Sequence, residues 1–292
     1  MNEATLNKIR ALIASADGLI ISAGAGMGVD SGLPDFRGNE GMWEYYPALG
    51  KLRIGFSSIA NPQAFAENPE RAWGFYGHRL MMYRQTEPHL GFRLLKELGE
   101  KFKRGYFVFT SNVDGQFQKA GFDPEKIYEC HGSIHALQCM TPNDCSPSVW
   151  PNLIEPRIDT DFCELVSPLP KCKHCGELAR PSILMFNDWH WQEWPYQQQN
   201  QRLNDWLKQV KSPLVIEIGA GVAIPTVRYF SEEVANGGER LIRINPANAS
   251  IRLGCGVSLT MGGLAGIEMV ANEALAVLRG FASHEKITYF RC

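Results

Sequence analysis

The sequence predicts an α/β fold built on a mainly parallel sheet, for three reasons. First, four short apolar runs have the composition of buried strands: residues 19–22, 106–110, 214–218 and 241–244. Second, helical patterns lie between these runs, and strands that alternate with helices form mainly parallel sheets covered on both faces. Third, glycine and polar residues follow each run, which places them together at the edge where open α/β sheets bind ligands.

The loop after the first run is rich in glycine, with Gly24, Gly26 and Gly28 inside five residues. Glycines in this position let backbone N–H groups approach phosphate oxygens. The usual dinucleotide fingerprint has a third glycine where this chain has Val29, and it then continues as a helix. Here Pro34 interrupts any helix. The segment therefore predicts a nucleotide-binding loop of unusual form, and the competing interpretation is a glycine turn without a ligand.

The composition limits which classes of protein and partner are consistent with this chain. The chain has 292 residues, 45% of them apolar, which is enough for one large α/β domain or two small ones. Its 29 basic and 31 acidic residues give a net charge of −2, so we expect neither nucleic acid nor a membrane surface as partner. No apolar run reaches the roughly 18 residues that span a bilayer. We expect a cytoplasmic protein whose eight cysteines are reduced or bind metal.

Four cysteines flank an irregular, proline-containing segment. They form a C-x5-C pair and a C-x2-C pair: Cys139, Cys145, Cys172 and Cys175. Thiolates from two short loops can complete a tetrahedral zinc site, and a site with four protein ligands is structural. The 26 residues between the pairs exceed the spacing of about 15–20 typical of such sites, and Cys163 or His174 can replace a ligand. We predict a zinc site; the competing interpretation is free thiols.

In their order along the chain, these parts resemble the sirtuin family of NAD-dependent protein deacylases. The family's Gly-Ala-Gly loop and Gly-Ile-Pro-Asp-Phe-Arg run match residues 24–26 and 32–37, with leucine in place of isoleucine. The Thr-Gln-Asn-x-Asp signature matches residues 110–114, and the His-Gly pair that follows matches residues 131–132. The family's zinc cysteines, Phe-Gly-Glu loop, Gly-Thr-Ser loop and Ile-Asn pair correspond to residues 139–175, 186–188, 219–221 and 244–245.

The resemblance implies that NAD is bound as a co-substrate. In the family, the glycine loop holds the pyrophosphate and the segment that follows it covers the nicotinamide half. Arg37 would then donate to a phosphate, and Phe36 would shield the reacting sugar from water. The residues implied to contact NAD are Gly24, Ala25, Gly26, Asp35, Phe36, Arg37, Ser111, Asn112, Val113, Asp114, Gly219, Ala220 and Asn245.

The resemblance also implies a catalytic group. Asn112 and Asp114 would position the ribose and the carboxamide, and His131 would act as general base on a ribose hydroxyl. A side chain that is partly neutral near pH 7 suits this task. Taken alone, His131 would more often be a hydrogen-bonded core histidine. The substrate would be an acyl-lysine protein or peptide, and the products nicotinamide, O-acyl-ADP-ribose and free lysine.

Four residues are candidates for substrate contact. In the family, the peptide lies as a strand between the region of Phe186 and that of Val222, mostly through backbone pairing. Tyr76 and Arg79 form a Tyr-x-x-Arg pair that a helix would place on one face. Family members that remove acidic acyl groups bind the acyl carboxylate with such a pair, so the resemblance suggests a desuccinylase type beside the deacetylase type. The competing interpretation is a core tyrosine beside a solvated arginine.

The chain departs from the family pattern at several positions. A serine of the first loop is replaced by Gly28, and the glutamine of the second signature by Ser111. The Phe-Gly-Glu loop reads Phe-Asn-Asp at residues 186–188, and Ala220-Gly221 replaces the Thr-Ser pair. These changes keep two further hypotheses open, an NAD glycohydrolase or ADP-ribosyltransferase on the same NAD site and a non-catalytic NAD or ADP-ribose sensor. Retention of the three catalytic residues argues against the sensor.

The predicted fold class is thus α/β, with a Rossmann-like, mainly parallel sheet, a small zinc-binding insertion and a helical flap module. We assign residues 1–40, 85–137 and 180–292 to the NAD-binding Rossmann-like domain. Residues 41–84, rich in aromatic residues and methionine, would form the helical module near the cofactor loop. Residues 138–179 would form the small zinc-binding module, and a run at residues 286–290 predicts one further strand.

Overall fold

The computed structural model describes residues 2–35, 38–141, 145, 148–251 and 256–288. Within these ranges the strands are β1 (Gly18–Ala23), β2 (Tyr106–Thr110), β3 (Ile127–Glu129), β4 (Gly132–Cys139), β5 (Val149–Pro151), β6 (Ile158–Asp159), β7 (Glu164–Leu165), β8 (Ala179–Ile183), β9 (Pro213–Ile218), β10 (Leu241–Ile244) and β11 (Val257–Leu259). The α-helices are α1 (Glu3–Ala14), α2 (Gly38–Tyr45), α3 (Pro47–Lys51), α4 (Phe56–Ile59), α5 (Pro62–Glu67), α6 (Pro69–Gln85), α7 (Leu90–Gly99), α8 (Gln116–Lys119), α9 (Trp194–Leu207), α10 (Thr226–Val234) and α11 (Gly263–Thr288). Two 3-10 helices cover Ala25–Ser31 and Pro124–Lys126.

The main sheet has six strands in the order β11-β10-β9-β1-β2-β3, and every neighbouring pair is parallel. The four runs that predicted strands correspond to β1, β2, β9 and β10, and the predicted α/β class is confirmed. Two strands of this sheet were not predicted, β3 and β11, because each has only three residues, which carry too little pattern. The strand predicted at residues 286–290 is wrong for residues 286–288, which belong to α11. Residues 289–290 lie outside the described ranges.

The central strands are buried on both faces, as parallel strands covered by helices must be. All residues of β1 and β2 are buried. Side chains alternate between two hydrophobic cores: Ile21 and Ile216 belong to one, and Ile20 and Val215 to the other. The burial explains why these strands read as continuous apolar runs, whereas alternation would mark a sheet with one wet face.

A third core joins the helices α2 to α6 to a small antiparallel sheet with the order β5-β4-β8. Its largest member is Trp73, whose indole N–H donates to the carbonyl of Ala179 at 2.9 Å. The small sheet begins at Gly132 and ends at Ile183, so it extends on both sides beyond the range 138–179. Of the helices in the described ranges, none has both the length and the apolar character required to cross a membrane.

Candidate active site

The site lies where the direction of strand addition reverses. From β1 the chain adds β2 and β3 on one side, and from β9 it adds β10 and β11 on the other. Open α/β sheets bind ligands at the carboxyl ends of the strands at such a switch point. The predicted cofactor residues follow four adjacent strands, β10, β9, β1 and β2. The fold therefore brings together segments that are up to 221 residues apart in the chain, from Gly24 to Asn245.

The loops after β1 and β9 touch backbone to backbone. The N–H of Gly24 donates to Ile218 at 3.0 Å, and the N–H of Gly26 donates to Gly219 at 3.1 Å. Gly219 has a φ of +62°, and a Cβ added to it would lie 2.4 Å from the Cα of Gly26. Larger residues would push the two loops apart. These glycines are therefore required by the contact between the two loops.

Gly28 stands where the family has serine, and it packs closely against the side chain of Leu33. A Cβ added there would lie 3.0 Å from Cδ1 and 3.2 Å from Cβ of Leu33. The N–H of Leu33 also donates to the carbonyl of Gly28 at 3.1 Å, which fixes the distance between the two residues. The leucine therefore occupies the space that a side chain at position 28 would need.

Asn112 connects the loop after β2 to the glycine loop. Its side-chain amide donates to the carbonyl of Gly24 at 3.0 Å, and its backbone N–H donates to Oγ1 of Thr110 at 3.0 Å. The hydroxyl of Thr110 donates in turn to Ala23, and the N–H of Ser111 donates to the same carbonyl at 3.2 Å. These bonds hold Asn112 at the switch point.

Asp114 is a buried carboxyl in the same loop. Its Oδ1 accepts the N–H of Gln116 at 2.9 Å. Burial raises the pKa of Asp114 to about 6, although that N–H and the positive charge of Arg79 act in the opposite direction. The neighbouring Val113 packs into the third core. Near neutral pH this carboxyl can therefore change its protonation state when a ligand changes its surroundings.

His131 lies between β3 and β4, beside the carboxyl end of β2. The N–H of Cys130 donates to Thr110 at 2.9 Å, and the carbonyl of His131 accepts the N–H of Leu184 at 2.9 Å. Burial lowers the pKa of His131 from its ordinary value of 6.5. The imidazole is consequently neutral near pH 7 and able to accept a proton, as a general base must.

Asn245 ties the loop after β10 to the loop after β9. Its side-chain amide donates to the carbonyl of Ala220 at 3.0 Å, and its Oδ1 accepts the N–H of Ala247 at 3.2 Å. Of the cover segment, Asp35 is partly buried. Phe36 and Arg37 lie outside the described residues, so their cofactor roles stay predictions.

Tyr76 and Arg79 both lie buried on α6. The guanidinium of Arg79 donates through Nε and Nη2 to the hydroxyl of Tyr83, at 3.0 and 2.7 Å, and its side chain contacts the ring faces of Phe75 and Tyr76. Arg79 is only 8% exposed, so the interpretation as a solvated arginine is wrong. Tyr83 was not predicted from the sequence, although its spacing of four residues from Arg79 was a usable signal.

The remaining two substrate candidates lie on separate loops. Phe186 packs its ring edge-on against Phe56, and its N–H donates to Ala60 at 2.9 Å. Its turn is held by a buried ion pair between Arg180 and Asp188, 2.8 Å apart. On the other loop, Val222 is 56% exposed. Its substrate role stays a prediction.

The four predicted metal ligands form one cluster. Their sulfur atoms lie within 4.8 Å of one another, with Cys139 3.6 Å from Cys175 and Cys145 3.7 Å from Cys172. A tetrahedral zinc ion with Zn–S bonds of about 2.3 Å needs sulfurs about 3.8 Å apart, so the geometry fits zinc. Among the described residues, neither Cys163 nor His174 joins this cluster, which corrects the alternative of a replaced ligand.

The N–H groups near the second pair favour thiolate. Burial alone would raise the pKa of Cys172, but N–H groups of Cys175 and His174 directed at its sulfur lower it. The turn closes through the N–H of Gly176, which donates to the carbonyl of Cys172 at 2.9 Å. Metal ligands must be deprotonated, so this turn prepares a ligand before any ion arrives.

Comparisons with known proteins agree with this geometry. The model of the Sir2 family matches residues 24–224. An NAD-dependent protein deacylase 2 of Pyrobaculum aerophilum is 31% identical over 241 residues, which cover 82% of this chain and 84% of that protein. An NAD-dependent protein deacylase of Leptospira interrogans is 28% identical, covering 78% and 81%. A solved Sir2 homolog in complex with NAD superposes with a TM-score of 0.68 at 26% identity, covering 95% of each chain.

Proposed function

This chain belongs to the Sir2 family, and we propose that it is an NAD-dependent protein-lysine deacylase that releases nicotinamide, O-acyl-ADP-ribose and free lysine. One observation carries the proposal. A histidine that is neutral near pH 7 stands next to the carboxyl end of β2, whose loop presents Asn112 and Asp114 at the switch point. Relatives named NAD-dependent protein deacylase support it.

Each residue has a task in this proposal. Bound NAD supplies the ribose carbon that becomes electrophilic when nicotinamide leaves. Asn112, held by Gly24, orients the ribose, and Asp114 positions the carboxamide from its buried place in the same loop. His131 accepts a proton from a ribose hydroxyl, because its neutral imidazole is available at the working pH. Phe186 and Val222 flank the peptide.

The proposal extends to metal, partners and location. Cys139, Cys145, Cys172 and Cys175 hold one structural zinc ion. The substrate is an acyl-lysine protein or peptide, and the near-zero net charge supports neither a nucleic-acid nor a membrane partner. We also propose a cytoplasmic location. The chain would divide into three parts: an NAD-binding domain at residues 1–40, 85–137 and 180–292, a helical module at residues 41–84, and a zinc-binding module at residues 138–179.

The test is a product analysis with NAD and a panel of acetyl-, succinyl- and malonyl-lysine peptides. We expect nicotinamide release that depends on peptide, together with free lysine peptide and O-acyl-ADP-ribose, all followed by mass spectrometry. Nicotinamide release at one rate with and without every peptide, and no deacylated product, would replace this proposal by an NAD glycohydrolase. Binding without any turnover would indicate a sensor.

Replacing Arg79 by methionine is expected to reverse an acyl preference. We propose that succinyl- and malonyl-lysine peptides are better substrates than acetyl-lysine, because a buried guanidinium and the Tyr76 hydroxyl can bind the acyl carboxylate. The ratio of kcat/KM for succinyl over acetyl peptide should fall about tenfold or more, since a hydrogen bond to a charged group contributes about 1.5–3 kcal/mol.

The matched control for Arg79→Met is Arg84→Met on the same helix. Arg84 also carries a guanidinium, but it donates to the carbonyls of Ile154 and Asn152. Its loss should leave the acyl ratio unchanged. If the ratio is the same in wild type and in both variants, Tyr76 and Arg79 are core residues without a role in selectivity.

A further inference from the structure

We propose that Arg228 is a positioning residue for NAD, because its guanidinium fixes the loop after β9 in the shape that binds the ADP half of the molecule. The inference rests on the proposed function for its ligand. It concerns a residue in the first two turns of α10, outside the set identified from sequence. Arg228 has no place in the catalytic step itself.

Arg228 joins the loops that follow two neighbouring strands. Its Nε and Nη2 donate to the carbonyl of Ala220 at 3.1 and 3.0 Å, and Nε also lies 3.2 Å from the carbonyl of Gly221. Nη2 donates to the carbonyl of Asn248 at 2.6 Å, in the loop after β10. The residue is 8% exposed. A buried guanidinium bonded to three main-chain carbonyls fixes the backbone of both loops more strongly than neutral donors would.

The carbonyl of Ala220 receives three donors. Besides Nε and Nη2 of Arg228, the side-chain amide of Asn245 donates to it at 3.0 Å. Asn245 was predicted from the sequence to contact NAD. Asn245 and Arg228 therefore share one acceptor, and both hold the same peptide group.

Fixing that carbonyl orients the N–H on the other side of the peptide. The described chain has no cis peptide bond, and in a trans peptide the carbonyl and the following N–H point in opposite directions. With the carbonyl of Ala220 directed at Arg228, the N–H of Gly221 points away from α10. Gly221 is exposed, and a Cβ added to it would meet no atom within 4 Å, so a ligand can approach this N–H.

The side chains of this loop make the backbone donor important. Neither Ala220 nor Gly221 has a polar side chain, whereas the family carries Thr and Ser here. Any hydrogen bond that this pair donates to a ribose or phosphate oxygen must come from a backbone N–H. Such a donor is effective only when its direction is fixed in advance, because a mobile loop pays the ordering cost on binding.

A competing role for Arg228 is suggested by a cavity of about 260 Å³ that it lines. Glu232 and Arg243 also line this cavity, and they are paired with each other at 3.0 Å. Glu217, paired with Arg243 at 2.6 Å, adds a second carboxylate. Two guanidiniums and two carboxylates thus balance, and the cavity has no preference for an anion. The hydrogen bonds to the two loops, not the cavity, therefore identify the role of Arg228.

The test compares Arg228→Met and Arg228→Lys with Arg240→Met as the matched control. Arg240 likewise donates to a main-chain carbonyl, that of Pro213, but at the amino end of β9. We expect Arg228→Met to raise the Kd for ADP-ribose about tenfold by calorimetry, equivalent to about 1.4 kcal/mol. KM for NAD should rise in parallel. The Kd of Arg228→Lys should lie between those of wild type and Arg228→Met, and the Kd of Arg240→Met should be within twofold of wild type.

Two results would overturn the inference: a folded Arg228→Met protein with a Kd within twofold of wild type, or an equal loss in Arg240→Met. If Arg228→Met does not fold, the same comparison is made with Arg228→Lys, and an unchanged Kd for ADP-ribose in that variant would also overturn the inference. A wild type that binds ADP-ribose but deacylates nothing refutes the proposed function and leaves the role of Arg228 standing. A wild type that binds neither ADP-ribose nor NAD refutes both.

Discussion

His131→Ala is expected to lose peptide deacylation by about 100-fold or more, the lower range of general-base catalysis, while it retains NAD binding. The expectation follows from the order of events. Departure of nicotinamide needs no base, whereas transfer of the acyl group to the sugar needs a ribose hydroxyl to be deprotonated. The variant should therefore retain part of the peptide-dependent nicotinamide exchange. Labelled nicotinamide measures the exchange, and mass spectrometry measures the deacylated peptide.

Asn112→Ala gives the contrasting result, because it disturbs the ribose geometry on which both steps depend. Exchange and deacylation should fall together in this variant. His190→Ala removes an exposed imidazole and should change neither. Equal loss of both activities in His131→Ala would mean that the histidine holds the ligand and is not the base. Full deacylation in the same variant would remove it from the mechanism.

The pH dependence of the wild type bears on the same residue. The pKa of His131 is lowered below 6.5, so the imidazole is already neutral at pH 7 and becomes protonated only at lower pH. The rate should be level from pH 7 upwards and fall on the acid side of 6.5. Asp114, whose pKa is raised to about 6, titrates in the same region. In Asn112→Ala, where His131 is intact, the acid limb of the remaining activity should persist.

Removal of zinc is the second change with a large expected effect. Cys172→Ala should yield little folded protein, and chelation of the wild type should lower its melting temperature. A zinc ion bound by the four cysteines would link β4 to the turn at Cys172, and structural zinc supplies about 10–16 kcal/mol in small zinc-binding peptides. Elemental analysis should find one zinc ion per chain in the wild type.

Cys163→Ala is the control for the zinc prediction. Cys163 is buried in the third core and does not belong to the cluster, so its replacement should leave the zinc content unchanged. Wild-type protein purified without chelator and containing no zinc would contradict the prediction. So would Cys172→Ala protein with the wild-type melting temperature.

The sequence predicts the long strands of the fold better than it predicts the short strands and the contacts between loops. Long buried strands such as β1 and β2 were visible because both of their faces are apolar. The short strand β3 was not, although it ends two residues before His131. Arg228 was missed for a different reason. Its partners are brought near by tertiary packing, and an arginine bound to carbonyls leaves no pattern in the chain.

The contact between Gly28 and Leu33 changes how the departures from the family motif are counted. Read by residue identity, serine to glycine and isoleucine to leucine are two separate losses of agreement. In space they concern a single contact, since a Cβ at position 28 would lie 3.0 Å from Cδ1 of Leu33. Leucine and isoleucine have the same volume but branch at different carbons, so the shape of the side chain at position 33 affects what fits at position 28. Packing partners within a motif should therefore be compared as pairs, and a motif score that treats positions as independent cannot do so.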